Sequence, residues 1–92
     1  MAVKSKTVFF LYYVRNEFPY HRFAISVNRK IGKAVERNYI KRKMKELFRL
    51  KQNMVKNKFD FWVVMKKRFD NTHSDEIERL FTGALMKISR AQ

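Results

Sequence analysis

The chain has 92 residues and carries 22 lysines and arginines against 8 acidic residues, so its formal net charge is +14. It contains no cysteine, which excludes disulfides, thiolate metal sites and a cysteine nucleophile. No apolar run approaches the roughly 18 residues of a membrane span, and the N-terminus lacks the apolar segment of a signal peptide. We therefore expect one domain of the cell interior, covering residues 1–92, with a polyanionic partner.

The first elements are predicted to be two strands. Thr7–Val14 consists almost entirely of β-branched and aromatic residues, and Phe23–Val27 has the same character. Asn16, Glu17 and Pro19 supply turn chemistry between them. The local pattern predicts an antiparallel hairpin.

A helix and a third strand follow. From Lys33 or Ala34 to about Met54 the apolar residues recur at helical spacing, at Ile40, Met44, Leu47 and Phe48. Phe59–Met65 is a compact apolar run of strand length, and it predicts a buried strand in which Trp62 belongs to the core.

The last predicted element is an amphipathic helix. One apolar stripe is formed by Ile77, Leu80, Phe81, Ala84, Leu85 and Ile88. Thr72 with Asp75 resembles a capping box, and Ser74 is a rival cap. The predicted order is strand, strand, helix, strand, helix, an α/β (α+β) two-layer sandwich.

The positive charge is concentrated around the central helix. Arg29 to Lys58 contain 12 of the 22 basic residues and only two acidic ones. A helical wheel places six polar residues on one face beside the apolar stripe: Arg37, Asn38, Lys41, Arg42, Lys45 and Arg49. A solvated face would interleave acidic residues, and this face has none, so nucleic-acid binding is favoured over a solvated surface. Membrane-surface binding is disfavoured because the sheet needs the apolar stripe.

Aromatic residues are enriched in the N-terminal part of the chain, where seven of the fourteen precede position 24. Most belong to the core on the simplest interpretation. An aromatic on the open side of a sheet could stack on single-stranded bases, and Tyr12 is the first candidate, with Phe10 the second.

Catalysis by the chain's own side chains is not predicted. His21 and His73 lie in turn-like segments and are expected at the surface. Only two glycines occur, so there is no glycine-rich phosphate loop, and no metal-ligand spacing is present.

The segment from Arg22 to Arg49 resembles the signature region of the bacterial ribonuclease P protein subunit. In that family a strand ends in a Ser-Val-x-Lys-Lys-like segment, Ile-Gly-x-Ala-Val follows, and Arg-Asn-Arg-x-x-Lys-Arg opens a long helix. The matching residues are Ser26, Val27, Arg29, Lys30, Ile31, Gly32, Ala34, Val35, Arg37, Asn38, Lys41 and Arg42. The resemblance covers about residues 7–92.

The resemblance implies a function in tRNA processing. Members bind a catalytic RNA, and the ribonucleoprotein is an endonuclease that hydrolyses one phosphodiester to remove the 5′ leader of precursor tRNA in the bacterial cytoplasm. The RNA carries the chemistry with Mg²⁺, which is bound mainly by the RNA, so no catalytic residue is expected in the protein. The implied partners are this RNA and precursor tRNA, without DNA or membrane. The resemblance implies that Arg37, Asn38, Lys41, Arg42 and Lys45 contact the catalytic RNA. Together with the charge pattern, it gives a predicted RNA-binding set of Arg29, Lys30, Arg37, Asn38, Lys41, Arg42, Lys45 and Arg49.

The resemblance also implies a cleft between the central helix and the sheet for the leader, where Tyr12 matches a contact position and Phe10 is its neighbour. The implied fold is like the second domain of ribosomal protein S5, with a left-handed strand–helix–strand crossover, although general handedness rules favour the right-handed form.

Two departures from the family pattern stand out. Tyr39 replaces the second arginine of Arg-Asn-Arg, and the wheel places it off the basic face. Family members usually begin with about 20 more residues that form a basic N-terminal helix, whereas this sequence starts at the aromatic strand; this departure bears on leader binding more than on RNA-subunit binding. Two alternatives remain: a structural RNA-binding protein of ribosomal type, and a small protein that binds the DNA major groove.

Overall fold

The computed structural model describes residues 2–5, 8–68 and 73–91. The elements in chain order are the strands β1 (Ala2–Ser5), β2 (Phe9–Arg15) and β3 (Arg22–Val27), the helix α1 (Ala34–Lys51), the strand β4 (Phe59–Met65) and the helix α2 (Ser74–Ala91). Short 3-10 turns, Arg29–Ile31 and Gln52–Met54, flank α1.

The four strands form one sheet in the order β1-β2-β4-β3. Strand β4 pairs antiparallel with β2 and parallel with β3. The predicted hairpin is therefore wrong: β2 and β3 run in opposite directions, but β4 lies between them. The turn residues between β2 and β3 indicate only that the chain reverses direction. They do not indicate which strand pairs with β2, because that pairing depends on residues distant in the sequence. Strand β1, which pairs antiparallel with β2, was not predicted.

Both helices cover one face of the sheet. The stripe of α1 enters a single core together with alternate residues of β2 and β4 and the stripe of α2; the fully buried members include Phe9, Leu11, Ile40, Met44, Val63, Phe81 and Leu85. Helix α1 lies against β3, and α2 lies towards β1. This two-layer arrangement confirms the predicted α+β class, and the β3–α1–β4 segment confirms a crossover between adjacent parallel strands.

The predicted element bounds agree with the structure in most places. Strand β4 has the predicted ends, and α1 ends at Lys51 with the 3-10 turn completing the predicted range to Met54. Ser74 is the first residue of α2, and the proposed Thr72 cap lies outside the described residues. Among the helices described, none is long and apolar enough to cross a membrane.

Candidate nucleic-acid interface

The face of the sheet opposite the helices carries exposed aromatic residues. Residues alternate between the two faces of a strand, so Tyr12 points away from the core that its neighbour Leu11 enters. The register aligns Tyr12 with Trp62 on β4 and Ala24 on β3, across three strands. The next rung is Phe10, Val64 and Ser26. We call these two rungs the open face.

Trp62 lies on the open face, and its assignment to the core is wrong. Its side chain is 48% exposed. Its ring centroid lies 5.4 Å from that of Tyr12, with 32° between the planes, and its indole Nε1–H donates to Ser26 Oγ at 2.8 Å. Two planar rings are thus held side by side, one by a hydrogen bond and both by adjacent strands. The Tyr12 prediction of an exposed aromatic is confirmed, since Tyr12 is 39% exposed. Phe10, which is half-buried, lies edge-on to Tyr12 at 6.2 Å.

One end of the open face is a groove of about 440 Å³ whose floor includes Tyr12 and Trp62. Its outer wall is an ion pair, in which Arg22 donates through Nε and Nη2 to the two carboxylate oxygens of Asp60 at 2.7 and 2.5 Å. Asn16 Nδ2 donates to the same carboxylate at 2.8 Å. Hydrogen bonds from Arg22 and then from Asn16 lower the pKa of Asp60 to about 2. The Asp60 carboxylate in this wall is therefore ionised at neutral pH.

The other end of the open face is basic. Lys66 Nζ lies 5.0 Å from the ring centroid of Phe10, a cation–π distance. A depression beside it is lined by Lys30, Lys66 and Arg68 together with Ser26 and other residues. Lys30 belongs to the predicted RNA-binding set, whereas sequence reasoning missed Lys66 and Arg68. Their signal in the sequence is the run of three basic residues that directly follows the predicted third strand.

The basic end continues into the start of α1. Glu36 Oε1 accepts the Lys33 N–H at 3.1 Å, which caps the helix, and Oε2 accepts from Arg68 Nη1 at 2.7 Å. The backbone bond, followed by the Arg68 charge, lowers the pKa of Glu36. A Cβ at Gly32 would lie 3.1 Å from Glu36 Oε1, so the glycine permits this close approach. The Glu36 side chain thereby links the start of α1 to Arg68, which follows β4.

The predicted helix face is present as a surface. Asn38, Arg42, Lys45 and Arg49 are exposed, whereas Arg37 and Lys41 are partly buried. Arg37 also has a structural contact, because its Nη1 donates to the Gly32 carbonyl oxygen at 2.9 Å. Arg29 is exposed in the turn before the helix. Tyr39 packs against the margin of the core, which agrees with its predicted position off the basic face.

The implied cleft between α1 and the sheet is wrong. Ile40 and Met44 of α1 are fully buried against the sheet, so the core fills that interface. Tyr12 lies on the opposite face. The two candidate surfaces are instead joined around β3, which is an edge strand and is followed directly by the turn that carries Lys30.

His21 is buried, so its predicted surface position is wrong. Its side chain is 8% exposed; Nε2 lies 3.2 Å from the Val55 carbonyl oxygen, and Nδ1 accepts the Phe59 N–H at 3.1 Å. This pattern requires the neutral ring with its proton on Nε2. Burial lowers the pKa of His21, and Lys58 adds to the effect. His21 thus fastens the start of β3 to the segment before β4. His73 is exposed, as predicted.

Comparisons with known proteins point to one family. The ribonuclease P family model matches residues 2–89. The ribonuclease P protein component of Desulfosudis oleivorans is 41% identical over 69 residues, which are 75% of this chain and 57% of that protein. The same component of onion yellows phytoplasma is 36% identical over 78 residues, 84% of this chain and 55% of that protein. This chain spans less than two thirds of the length of either relative.

Solved structures give the same result. The RNase P protein from Thermotoga maritima superposes with a TM-score of 0.69 at 29% identity, covering 100% of this chain and 84% of that one. The Staphylococcus aureus RNase P protein gives a TM-score of 0.67 at 26% identity, covering 99% and 79%. The family match spans nearly the whole chain and includes both candidate surfaces. The chain therefore belongs to the ribonuclease P protein family.

Proposed function

We propose that this chain is the protein subunit of a ribonuclease P ribonucleoprotein in the bacterial cytoplasm. It binds the catalytic RNA through the basic face of α1 and the single-stranded 5′ leader of precursor tRNA on the open face. The observation that carries this proposal is the pair of exposed rings, Tyr12 and Trp62, held side by side on a sheet whose edge adjoins a helix of unbalanced positive charge.

The α1 face suits a structured RNA. Four of its six residues are exposed, and the described ion pairs involve none of Arg42, Lys45 and Arg49. Like charges at helical spacing repel each other, so a bound phosphate backbone that releases its counterions relieves a cost already present in the free protein. Asn38 adds an amide that can both donate and accept within this basic surface.

The open face suits a single strand. Bases of an unpaired strand expose their faces, and each base stacked on an aromatic ring gains about 1–3 kcal/mol, largely independent of sequence. A leader differs in sequence from one precursor to the next, so a surface that recognises stacking instead of base edges meets the requirement. Lys66 beside Phe10 supplies a cation for the adjoining phosphate.

The protein's part in cleavage is then electrostatic and positional. It lowers the repulsion between two RNAs, holds the leader at a fixed distance from the RNA-bound site, and raises the local occupancy of Mg²⁺. The magnesium ions belong to the RNA, and they supply the polarisation of the phosphodiester and the activated water. No side chain of this chain is assigned to the bond-breaking step.

The test is cleavage of a precursor tRNA by a bacterial ribonuclease P RNA at low Mg²⁺, with and without this protein. We expect stimulation by the protein, and a smaller effect as Mg²⁺ rises, because the ion then replaces the protein's screening. The Arg42→Ala, Lys45→Ala double variant, which removes two positive charges from the face of α1, should stimulate cleavage less than the parent chain does. The proposal would be contradicted if the protein did not stimulate cleavage at any of the Mg²⁺ concentrations tested, including the lowest. Retained binding to ribosomal RNA, or preference for duplex DNA, would then identify an alternative.

A further inference from the structure

The loop between β2 and β3 carries a second pair of exposed aromatic rings, which the proposed function does not use. Phe18 is 43% exposed and Tyr20 is 53% exposed. Their ring centroids are 5.4 Å apart, and the planes are nearly parallel at 20°. Pro19 between them restricts the backbone, so the two rings are presented together. Two large stacked rings that are both exposed form an apolar patch, and exposed apolar patches are typical of binding sites.

The loop is ordered by its own hydrogen bonds. Asn16 Oδ1 accepts the Phe18 N–H at 2.9 Å, while its Nδ2 donates to the Tyr20 carbonyl oxygen at 3.4 Å and to Asp60 at 2.8 Å. The Asn16 N–H donates to the Lys58 carbonyl oxygen at 3.0 Å. One side chain therefore fixes the loop both internally and against β4. Because the loop is already ordered in the folded protein, binding of a ligand to these rings does not require a further loss of loop conformational entropy.

Arg22 joins this loop to the open face. Its guanidinium carbon lies 4.6 Å from the centroid of the Phe18 ring, while the same group is bound to Asp60 at the wall of the groove that contains Tyr12 and Trp62. Arg22 and Asp60 stand opposite each other in register, two residues along the strands from the rung of Trp62, which is about 7 Å. The loop rings thus continue the line of stacking groups beyond the open face.

We propose that Phe18 and Tyr20 form a further stacking site for a base of the single-stranded RNA that crosses the open face, with Tyr20 as the contacting ring. This inference rests on the proposed function and extends the RNA track by a nucleotide beyond the groove. Tyr20 is the contacting ring because it is the more exposed of the two, whereas Phe18 is held between its contacts with Arg22 and Tyr20.

The local charges decide the character of the site. Arg22 is paired with Asp60, and the formal negative charge of Glu17 in the loop offsets the positive charge of Arg15, two residues before it in the sequence. The net local charge is small in comparison with α1. Binding at this loop should therefore come from stacking, and its loss should leave the dependence of affinity on salt unchanged. This behaviour distinguishes the loop from a phosphate-binding surface, for which each lost contact lowers the slope.

The experiment measures the affinity of the full chain for oligouridylates of about 4 to about 16 nucleotides, the usual range of single-strand site sizes. We expect Tyr20→Ala to weaken the longer oligomers by about 5- to 150-fold, which corresponds to one lost stacking contact. The shortest oligomers, which occupy the open face alone, should lose nothing. Tyr20→Phe retains the ring and should bind like the parent chain. Leu50→Ala, which truncates an exposed apolar residue of α1, is the control and should also bind normally.

Three outcomes would overturn the inference: no loss with Tyr20→Ala at any length, an equal loss at all lengths, or a changed salt slope. Tyr20→Leu keeps the bulk without the aromatic face and should behave like Tyr20→Ala; if it binds normally, the site is merely apolar and suits a protein partner instead of a base. Failure of the proposed function itself is distinguishable, because Tyr12→Ala would then leave even the shortest oligomers unaffected.

Discussion

Trp62 is the only tryptophan of the chain, so its fluorescence reports directly on the open face. Nearly half of its side chain is exposed, and its ring lies beside Tyr12. We expect acrylamide to quench its emission in the free protein and bound oligouridylate to protect it. Each base stacked on an aromatic is worth about 1–3 kcal/mol, so Trp62→Ala should weaken single-stranded RNA binding by about 5- to 150-fold.

A second variant separates binding from folding. Trp62→Phe keeps an aromatic face but removes the Nε1–H bond to Ser26, so the free energy of unfolding should fall by about 0.5–1.5 kcal/mol while most of the RNA affinity remains. Val63→Ala is the control, because Val63 is fully buried on the other side of the same strand. It should destabilise the fold and leave the affinity of the folded protein unchanged.

The assay is a fluorescence titration with an independent measure of saturation, the anisotropy of end-labelled RNA. The reasoning would be refuted if the tryptophan were inaccessible to acrylamide in the free protein. It would equally be refuted if emission and accessibility stayed constant while anisotropy reported saturation, since RNA would then bind away from this face.

Two further predictions concern the helix face and the buried histidine. Arg42→Ala and Lys45→Ala should each reduce the slope of log affinity against log salt by about one phosphate contact, measured with the catalytic RNA; an unchanged slope would make the face a solvated surface. The pKa of His21 is lowered from 6.5 by burial, so the folded state binds fewer protons than the unfolded chain. The contribution of neutral His21 to the free energy of unfolding is therefore complete above pH 6.5 and is lost as the pH falls through the lower folded-state pKa. Urea unfolding should show this decline in the parent chain and a smaller decline in His21→Gln. Equal declines in the two proteins would contradict the buried, neutral state of His21.

The elements that local periodicity controls were predictable. The stripes of α1 and α2 and the ends of β4 follow from spacing alone, because a helix or strand must bury its own apolar side. The order of strands in the sheet was not predictable. The signals at Asn16 and Pro19 describe a reversal of the chain, and only the packing of β4 between β2 and β3 decides the pairing.

The errors in the site have a related cause. Phe59–Met65 is apolar at nearly every position, so its sequence does not reveal that one face is open, and Trp62 resembles a core residue. The position of His21 was mispredicted because a turn-like segment predicts exposure, whereas in the fold His21 is the polar partner of the Val55 carbonyl oxygen and of the N–H of Phe59, the first residue of β4. The family resemblance supplied the RNA partner, which charge and spacing alone had left as a choice between nucleic acids.

The central claim is that the open face binds the leader of precursor tRNA, and Tyr12→Ala in the reconstituted holoenzyme tests it most directly. The measurement is the dissociation constant of precursor and of mature tRNA for the parent and variant enzymes at one salt and Mg²⁺ concentration. Since only the precursor carries a leader, we expect its affinity to fall by about 5- to 150-fold while that of mature tRNA stays the same. Equal losses for the two tRNAs, or no loss for either, would contradict the account.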